Sequence, residues 1–568
     1  MSKGLLRSSW VLALALSPAV WALPGVRPAD AHPSGDPSCY TPPFSLLVSP
    51  CVPHDTPAGP SATVAQLAFF AWQEFIALNW VASDPGTNGG VRGRPATGTD
   101  PNSGFFGIAP DASGNYPLVV WQTYRHKNEL FPFGGNKEVS FDNMKPTYSY
   151  AGTPPVPATD GPPPSFNLFN NLDETSQIGL ANMYAHAPSE IEPPSTVKTD
   201  PPSIPPVTPG PAAGTRVAYE AKVNRAVYSY ITSPMQGFTN PATLNNALSN
   251  TSPFSNNAIY TGICTLPPGT PTNSVVMLPC GDINVPGDPG EGAIEIKAAW
   301  RELTTAELQS GRFFTRNVIF YTGPQGKQVY HNAVWGLVAL HIIHKTKSFP
   351  AFVFATWEQV DNYDDDDPTN PNPQTLAFQN LPLKDDATTS IVNIAVRRAH
   401  PIHSQVASTN DSVHAAFKAA DPNTIWQYYK LVGVQATPVS GPPPAGTSLD
   451  DLSYYYLANI MVETNQTLQN FHGSVGDDGH PTDLQQVYIQ GAAGSPFAMG
   501  GCQGCHGFQG QLAGGDMSVL IANGTANAQQ AESIDSSPVA SVRTVIHRDR
   551  NAVIEDGHSL REFEASRR

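Results

Sequence analysis

Proline limits what this chain can fold into: there are 57 prolines, with 47 glycines beside them, among 568 residues. Each proline removes a backbone donor and fixes φ, and each glycine adds to the entropy lost on ordering. Long regular elements are therefore confined to the stretches between them, and much of the chain is loop. Hydrophobic residues still make up 40% and charged residues only 14%, which leaves enough apolar surface for a large folded body. Lys and Arg number 31 against 47 Asp and Glu, a formal charge of −16. That balance repels polyanions and offers no basic stripe to phosphates, so nucleic acid is excluded as the main partner.

The first residues have the layout of an export signal. Lys3 and Arg7 form a basic start, Trp10 to Leu16 an apolar stretch too short to span a bilayer, and Val20-Trp21-Ala22 a small-x-small cleavage site, with Ala29-Asp30-Ala31 as a second option. The longest later apolar run, Trp335 to Ile343, is strand-sized. The expectation is a protein cleaved near Ala22, periplasmic or secreted, with no membrane span.

Six cysteines fall in three close pairs. Cys39 with Cys51 and Cys264 with Cys280 sit among Pro, Ser, Thr and Gly, where an exported chain is free to oxidise, so each pair reads as a disulfide closing a short loop. The third pair belongs to Cys502-Gln-Gly-Cys505-His506, the C-x-x-C-H pattern of covalent haem attachment. Two intervening residues put both thiols on one side of a helical turn, and the adjacent imidazole is then held under the iron. With six cysteines and 15 histidines in the chain, chance supplies the pattern in roughly two such chains per thousand. A third disulfide or redox dithiol has no use for His506, and a zinc site needs a second ligand pair that no spacing supplies.

The fold expected is α+β: a large β-rich domain with flanking helices and long Pro/Gly loops, plus a small, mostly α-helical C-terminal haem c segment. Residues 1–22 are the signal peptide, 23–60 a Pro-rich arm stapled by Cys39 and Cys51, and 61–435 the large domain. Pro and Gly mark a linker at 436–447, followed by the haem segment at 448–523 and a polar, mobile tail at 524–568. Within the large domain a helix runs from Ala62 to Trp80 behind a Ser61 cap, a strand covers Leu118–Trp121, and a helix covers Arg216–Ile231. Ala293–Trp300, Arg312–Tyr321, Val334–His344 and Ala351–Val360 are the strands of a sheet, the third apolar on both faces and hence central. Ser448 with Asp451 opens a helix through about Phe471, and Asp516 caps a short turn through Ile521.

Several of these stretches together resemble a known family. Glu295-Ile-Lys-Ala-Ala-Trp300, Gly336-Leu-Val-Ala-Leu-His-Ile342 with Lys345-Thr346, Thr356-Trp-Glu-Gln-Val-Asp-Asn362, Leu457-Ala-Asn459 with Glu463-Thr464, and the Cys502–His506 motif are similar to large exported bacterial monohaem c-type cytochromes. The resemblance covers about half the chain and implies one covalent haem c and redox activity, with no settled substrate. Position 517 departs from it, being Met where an aromatic residue is expected, which reopens the question of the sixth iron ligand.

On this reading Cys502 and Cys505 carry the haem and His506 is the proximal ligand. A small cytochrome c brings a Met to the iron some dozens of residues after its motif, whereas here the only later Met is Met517, eleven residues on. The distal side therefore falls to the large domain, with His341, in the central strand, as the candidate distal residue and Met517 as runner-up. The leading function is electron transfer with a periplasmic redox partner. A haem-dependent oxidoreductase of peroxidase or oxygenase type, with a substrate pocket in the large domain, is an alternative. A haem-carrying sensor or a subunit of a redox complex is another. Glu358 and Asp361 are weak catalytic candidates as proton donors near His341. His341 with His344 has metal-like spacing, but residues i and i+3 on a strand face opposite ways. His400 with His403, and the acidic turn Asp361–Pro368, read as incidental.

Overall fold

A computed structural model of the chain describes residues 48–56, 58–83, 91–135, 140–142, 146–151, 167–175, 217–255, 262–266, 268–281, 290–303, 305–324, 326–360, 402–437, 447–455, 457, 459, 461–462, 488–490, 496–498, 501–506, 515–524 and 531–534. The expected signal peptide, Cys39, the acidic turn, Asp361 and His400 lie outside the described residues. Among the described residues no helix is long and apolar enough to cross a membrane.

The fold is α+β, built on an antiparallel sheet of eight strands. These are β1 (Arg125–His126), β2 (Glu174–Thr175), β3 (Ala218–Val223), β4 (Ile294–Arg301), β5 (Thr315–Thr322), β6 (Val329–His344), β7 (Val353–Gln359) and β8 (Tyr429–Gln435). The path runs β1-β3-β4-β6-β7-β8, with β2 also on β3 and β5 also on β6. The four strands expected between residues 292 and 361 are β4 to β7. The strand expected to be central is central: β6 pairs with β5 through Val329–Gly336 and with β4 and β7 through its second half.

One face of the sheet is closed by α1 (Val64–Leu78) and α6 (Ser404–Ala420), the latter not anticipated from the sequence. Numbered between them are α2 (Lys127–Leu130), α3 (Arg225–Thr232), α4 (Pro241–Ser255) and α5 (Thr305–Ser310). Thr63, rather than Ser61, caps α1, in a reciprocal pair with Gln66. Trp72 of α1 donates from Nε1 to Asn410 of α6 at 3.0 Å and meets Trp357 of β7 edge-on. Phe75, Trp426 and Phe105 complete this aromatic core. His344 also points to this face, against Glu74 of α1 and the Glu291 carbonyl.

Three local expectations give way to tertiary contacts. Arg216–Ile231 is a strand and then a helix, because Asn224 breaks the run: its side chain caps α3 through Val227 N at 3.2 Å and bonds Gly292 O at 2.8 Å. Leu118–Trp121 is no strand; only Val119 bridges Val81, and Val120–Thr123 forms a 3₁₀ turn. Within the expected mobile tail, residues 531–534 dock on the sheet: Glu532 N donates to Asp173 O at 3.0 Å and Ile534 N to Tyr321 O at 2.9 Å.

That 3₁₀ turn leads into a polar run folded entirely inside. Arg125, His126, Lys127, Asn128 and Glu129 are all buried. Glu129 takes both guanidinium groups of the region, from Arg92 at 2.9 and 3.0 Å and from Arg125 at 2.5 Å, and its second oxygen accepts from His126 N. Burial pushes its carboxyl up, but Arg92 and Arg125 outweigh this and hold it at about 2. Replacing Glu129 by Gln removes the charge that compensates both buried cations, and is expected to lower stability by about 3–5 kcal/mol in urea denaturation. A loss below about 1 kcal/mol would show that the network is not held by this carboxylate.

Candidate functional site

The other face of the sheet is covered by the C-terminal part of the chain, and the haem-type motif lies there. Residues Gly501–His506 form a short helix, α8, after α7 (Leu449–Tyr455). The helix expected to run to Phe471 stops at Tyr455, and Leu457 and Asn459 are not helical. The Asn459 side chain bonds elsewhere: Nδ2 donates to Thr356 Oγ1 at 2.8 Å and Trp357 O at 3.0 Å, and Oδ1 accepts from Met461 N. Gln503, inside the motif, anchors α8 in the same way. Its Nε2 donates to Ala351 O at 2.9 Å and Phe352 O at 2.7 Å, and its N–H to Gln435 Oε1 at 2.7 Å. Gly501 has φ +67°, and a Cβ there would lie 2.9 Å from both Gln435 and the Tyr454 carbonyl, so no other residue fits without a shift.

Cys502 is a thiol, its Sγ 3.7 Å from Leu457 O. The side chain of Cys505 lies outside the described residues. Cys264 and Cys280 are joined as expected, with Cα atoms 5.7 Å apart, and Cys51 is disulfide-bonded to a partner outside the described residues.

His506 is held from behind. Its Nδ1 lies 3.0 Å from the carbonyl oxygen of Met517, which accepts only, so Nδ1 carries the proton and Nε2 keeps its lone pair. The ring packs edge-on against Phe354 of β7, centroids 4.9 Å apart. Burial pushes the imidazole down to about 4, against the opposing pull of the Met517 bond and with help from Lys297. At neutral pH the ring is therefore uncharged, the form a metal ligand requires.

The carbonyl is positioned by a turn that sequence reasoning missed. Asp516 and Met517 have φ of +55° and +70°, a left-handed conformation that costs each non-glycine residue on the order of 1–3 kcal/mol. Side chains on both sides of Met517 hold it in place. Asp516 pairs with Lys345, at the end of β6, and accepts from Leu278 N at 2.8 Å. Ser518 donates to Glu295 of β4 at 2.5 Å and caps α9 (Val519–Asn523) through Ile521 N. The expected cap, Asp516, is thus a tether, and Ser518 is the cap. Met517 offers His506 its carbonyl, while its side chain is buried in the core.

His341 lies on this same face. Register puts Ala221, Lys297, His341 and Thr356 in one row across β3, β4, β6 and β7. Ala221, Lys297 and His341 are half-buried, whereas their same-face neighbours Tyr219, Val223, Glu295, Ala299, Ala339 and Ile343 are buried. Lys297 also lies 5.0 Å over the Tyr219 ring. His341 is held well below its ordinary value by burial, then by Lys297 and His506. His344 faces the opposite side, as strand geometry requires. Glu358 shares the His341 face two positions from Thr356 and pairs with Lys430 at 3.2 Å. His403 caps α6 through its Nδ1, which accepts from Gln405 N.

Described residues of several of these stretches make contacts on or beside this face: Glu295 bonds Ser518, Lys345 pairs with Asp516, and Asn459 holds Thr356. Among the described residues no group of three or more His, Cys, Asp or Glu side chains is arranged to hold a metal ion. No family model, curated protein or solved structure matches the chain.

Burial raises Glu295 to about 7, Asp516 adding to the shift and Ser518 opposing it. Between about 4.5 and 7 the unfolded chain gives up this proton while the native state keeps it, so the group's contribution to stability is lost as pH rises through about 7. Glu295→Gln should flatten the decline in melting temperature from about pH 5 to about pH 8. An unchanged pH profile would show that Glu295 titrates normally.

Proposed function

We propose that this protein is an exported monohaem c-type cytochrome that transfers electrons in the periplasm, with Cys502 and Cys505 carrying haem c and His506 as proximal ligand. The observation that carries the reading is the state of His506: neutral, fixed through Nδ1 to the Met517 carbonyl, and with Nε2 left for a metal. A backbone carbonyl behind a ligating imidazole sets its tautomer and raises its basicity. The donor set fits the cofactor, as two thiol-bearing positions and the imidazole occupy one helical turn packed on the sheet face. Haem c bound there supplies one-electron chemistry. The chain's own residues would hold His506 and exclude water behind it, with His341, on the same face of the sheet, as the candidate distal residue. The expected partner is a periplasmic redox protein.

The half-buried Lys297 and His341 favour a second reading, a haem-dependent oxidoreductase, since a simple carrier has no need of two such polar groups on the sheet face that carries the motif. Carbon monoxide separates the two: rapid binding to the reduced protein means an open or displaceable position and favours catalysis, and no binding favours electron transfer.

Two further outcomes test the assignment. Haem-dependent peroxidase staining of a denaturing gel should mark the mature chain and vanish in the Cys502→Ala, Cys505→Ala variant; haem that stays with this double variant through acid and solvent extraction would refute covalent attachment. His341→Ala should shift the Soret band and the midpoint potential while retaining haem, whereas Met517→Ala, which keeps the carbonyl, should leave both in place. The reverse pattern would move the distal role to Met517.

A further inference from the structure

We propose that the Cys264–Cys280 loop is the positioning element of the His506 site, holding in place the two backbone carbonyls on which the motif helix is seated. Its effect on a haem rests on the haem reading; the positioning does not. Among the described residues three that are not glycine have φ in the left-handed region: Phe352 at +65°, Asp516 at +55° and Met517 at +70°. All three lie behind α8. The Phe352 carbonyl accepts from Gln503 Nε2 at 2.7 Å, the Met517 carbonyl from His506 Nδ1 at 3.0 Å, and Asp516 precedes Met517. Such conformations persist only where their surroundings over-determine them, and they cluster at functional sites.

The stapled loop supplies those surroundings at three points. Next to Cys264, the Ile263 carbonyl accepts from Lys345 Nζ at 2.6 Å, and the same ammonium pairs with Asp516. Shortly before Cys280, Leu278 N donates to the Asp516 carboxylate at 2.8 Å. Gly262, with φ +78°, closes on the turn before β7: a Cβ there would lie 1.9 Å from the Pro350 carbonyl oxygen and 2.5 Å from Ala351 N. The disulfide joins these two arms, 16 residues apart in sequence, so each member of the Lys345–Asp516 pair is fixed by one arm of a closed loop. A hydrogen bond at Nδ1 raises the basicity of a ligating imidazole, and such bonds are one of the levers on a haem potential. Opening the loop therefore weakens the bond at Nδ1 and favours the reduced state.

The test compares the native full-length holoprotein with its Cys264→Ala, Cys280→Ala variant. The disulfide carries no charge, so its removal acts through position and not through the field at the iron. The variant is expected to favour reduction at least tenfold, a rise in midpoint potential of about 59 mV for one electron. Its His506 Nδ1 proton, followed by NMR in heavy water, should exchange at least tenfold faster. Glu129→Gln, which destabilises the region of β1, should move neither quantity. A cysteine variant that is less stable but unchanged in both would show a plain staple and overturn the proposal. If that variant does not fold, Asp516→Asn decides, since Asn tolerates the left-handed conformation but lacks the charge that holds Lys345. Faster ring-proton exchange in it supports the proposal, whereas a moved potential with unchanged exchange is an effect of charge alone and overturns it. Failure of the haem reading is distinguishable: a chain that does not stain for haem but shows the exchange difference sinks the cytochrome and keeps the positioning loop.

Discussion

A strand apolar on both faces must be covered twice, and β6 imposes that demand on everything around it. One cover is local in style, two helices with tryptophan and phenylalanine packed on Trp357. The other is the C-terminal part of the chain, brought across by polar contacts: Asn459 to Thr356, Gln503 to the carbonyls before β7, Ser518 to Glu295. Burying apolar surface gives the larger stabilisation but has no direction. The hydrogen bonds set where the motif helix comes to rest.

Burial of polar groups is unusually extensive beside β1 and β3, and it obeys one rule: each charge has a counter-charge or carbonyls. Lys222 reaches the carbonyls of Gln122 and Phe169 and lies 3.5 Å from Glu220, which also accepts from Trp300. Such networks add little net stability over apolar packing, but breaking one is costly, so they fix a single arrangement. Around His506 the same logic orients rather than stabilises.

The sequence made some of this legible. β4 to β7 are visible because apolar and β-branched runs alternate with breakers, and the motif and the Cys264–Cys280 staple are visible because their spacings carry the chemistry. What stayed hidden depends on partners far away. Nothing local shows that Trp121–Phe131, with three charged residues and a histidine, lies inside. Nor does Asn224 announce that it splits a helix-like stretch into strand and helix. Asp516 looks like a cap until Lys345 claims it, and the capping falls to Ser518 beside Glu295. His341 was legible as a buried strand histidine; Lys297 beside it was not, because cross-strand register cannot be read from one chain segment.

The left-handed pair Asp516–Met517 carries a consequence for modularity. Its conformation is held by Lys345 and Glu295, 171 and 223 residues away from their partners. The position of the carbonyl behind His506 is therefore a property of the whole sheet, and a C-terminal fragment cut at the proline linker would take the cysteines and the histidine with it but not the strands that back them. In that sense the motif is grafted rather than portable. The setting of His506 is written in strands that the ribosome completes long before the cysteines emerge.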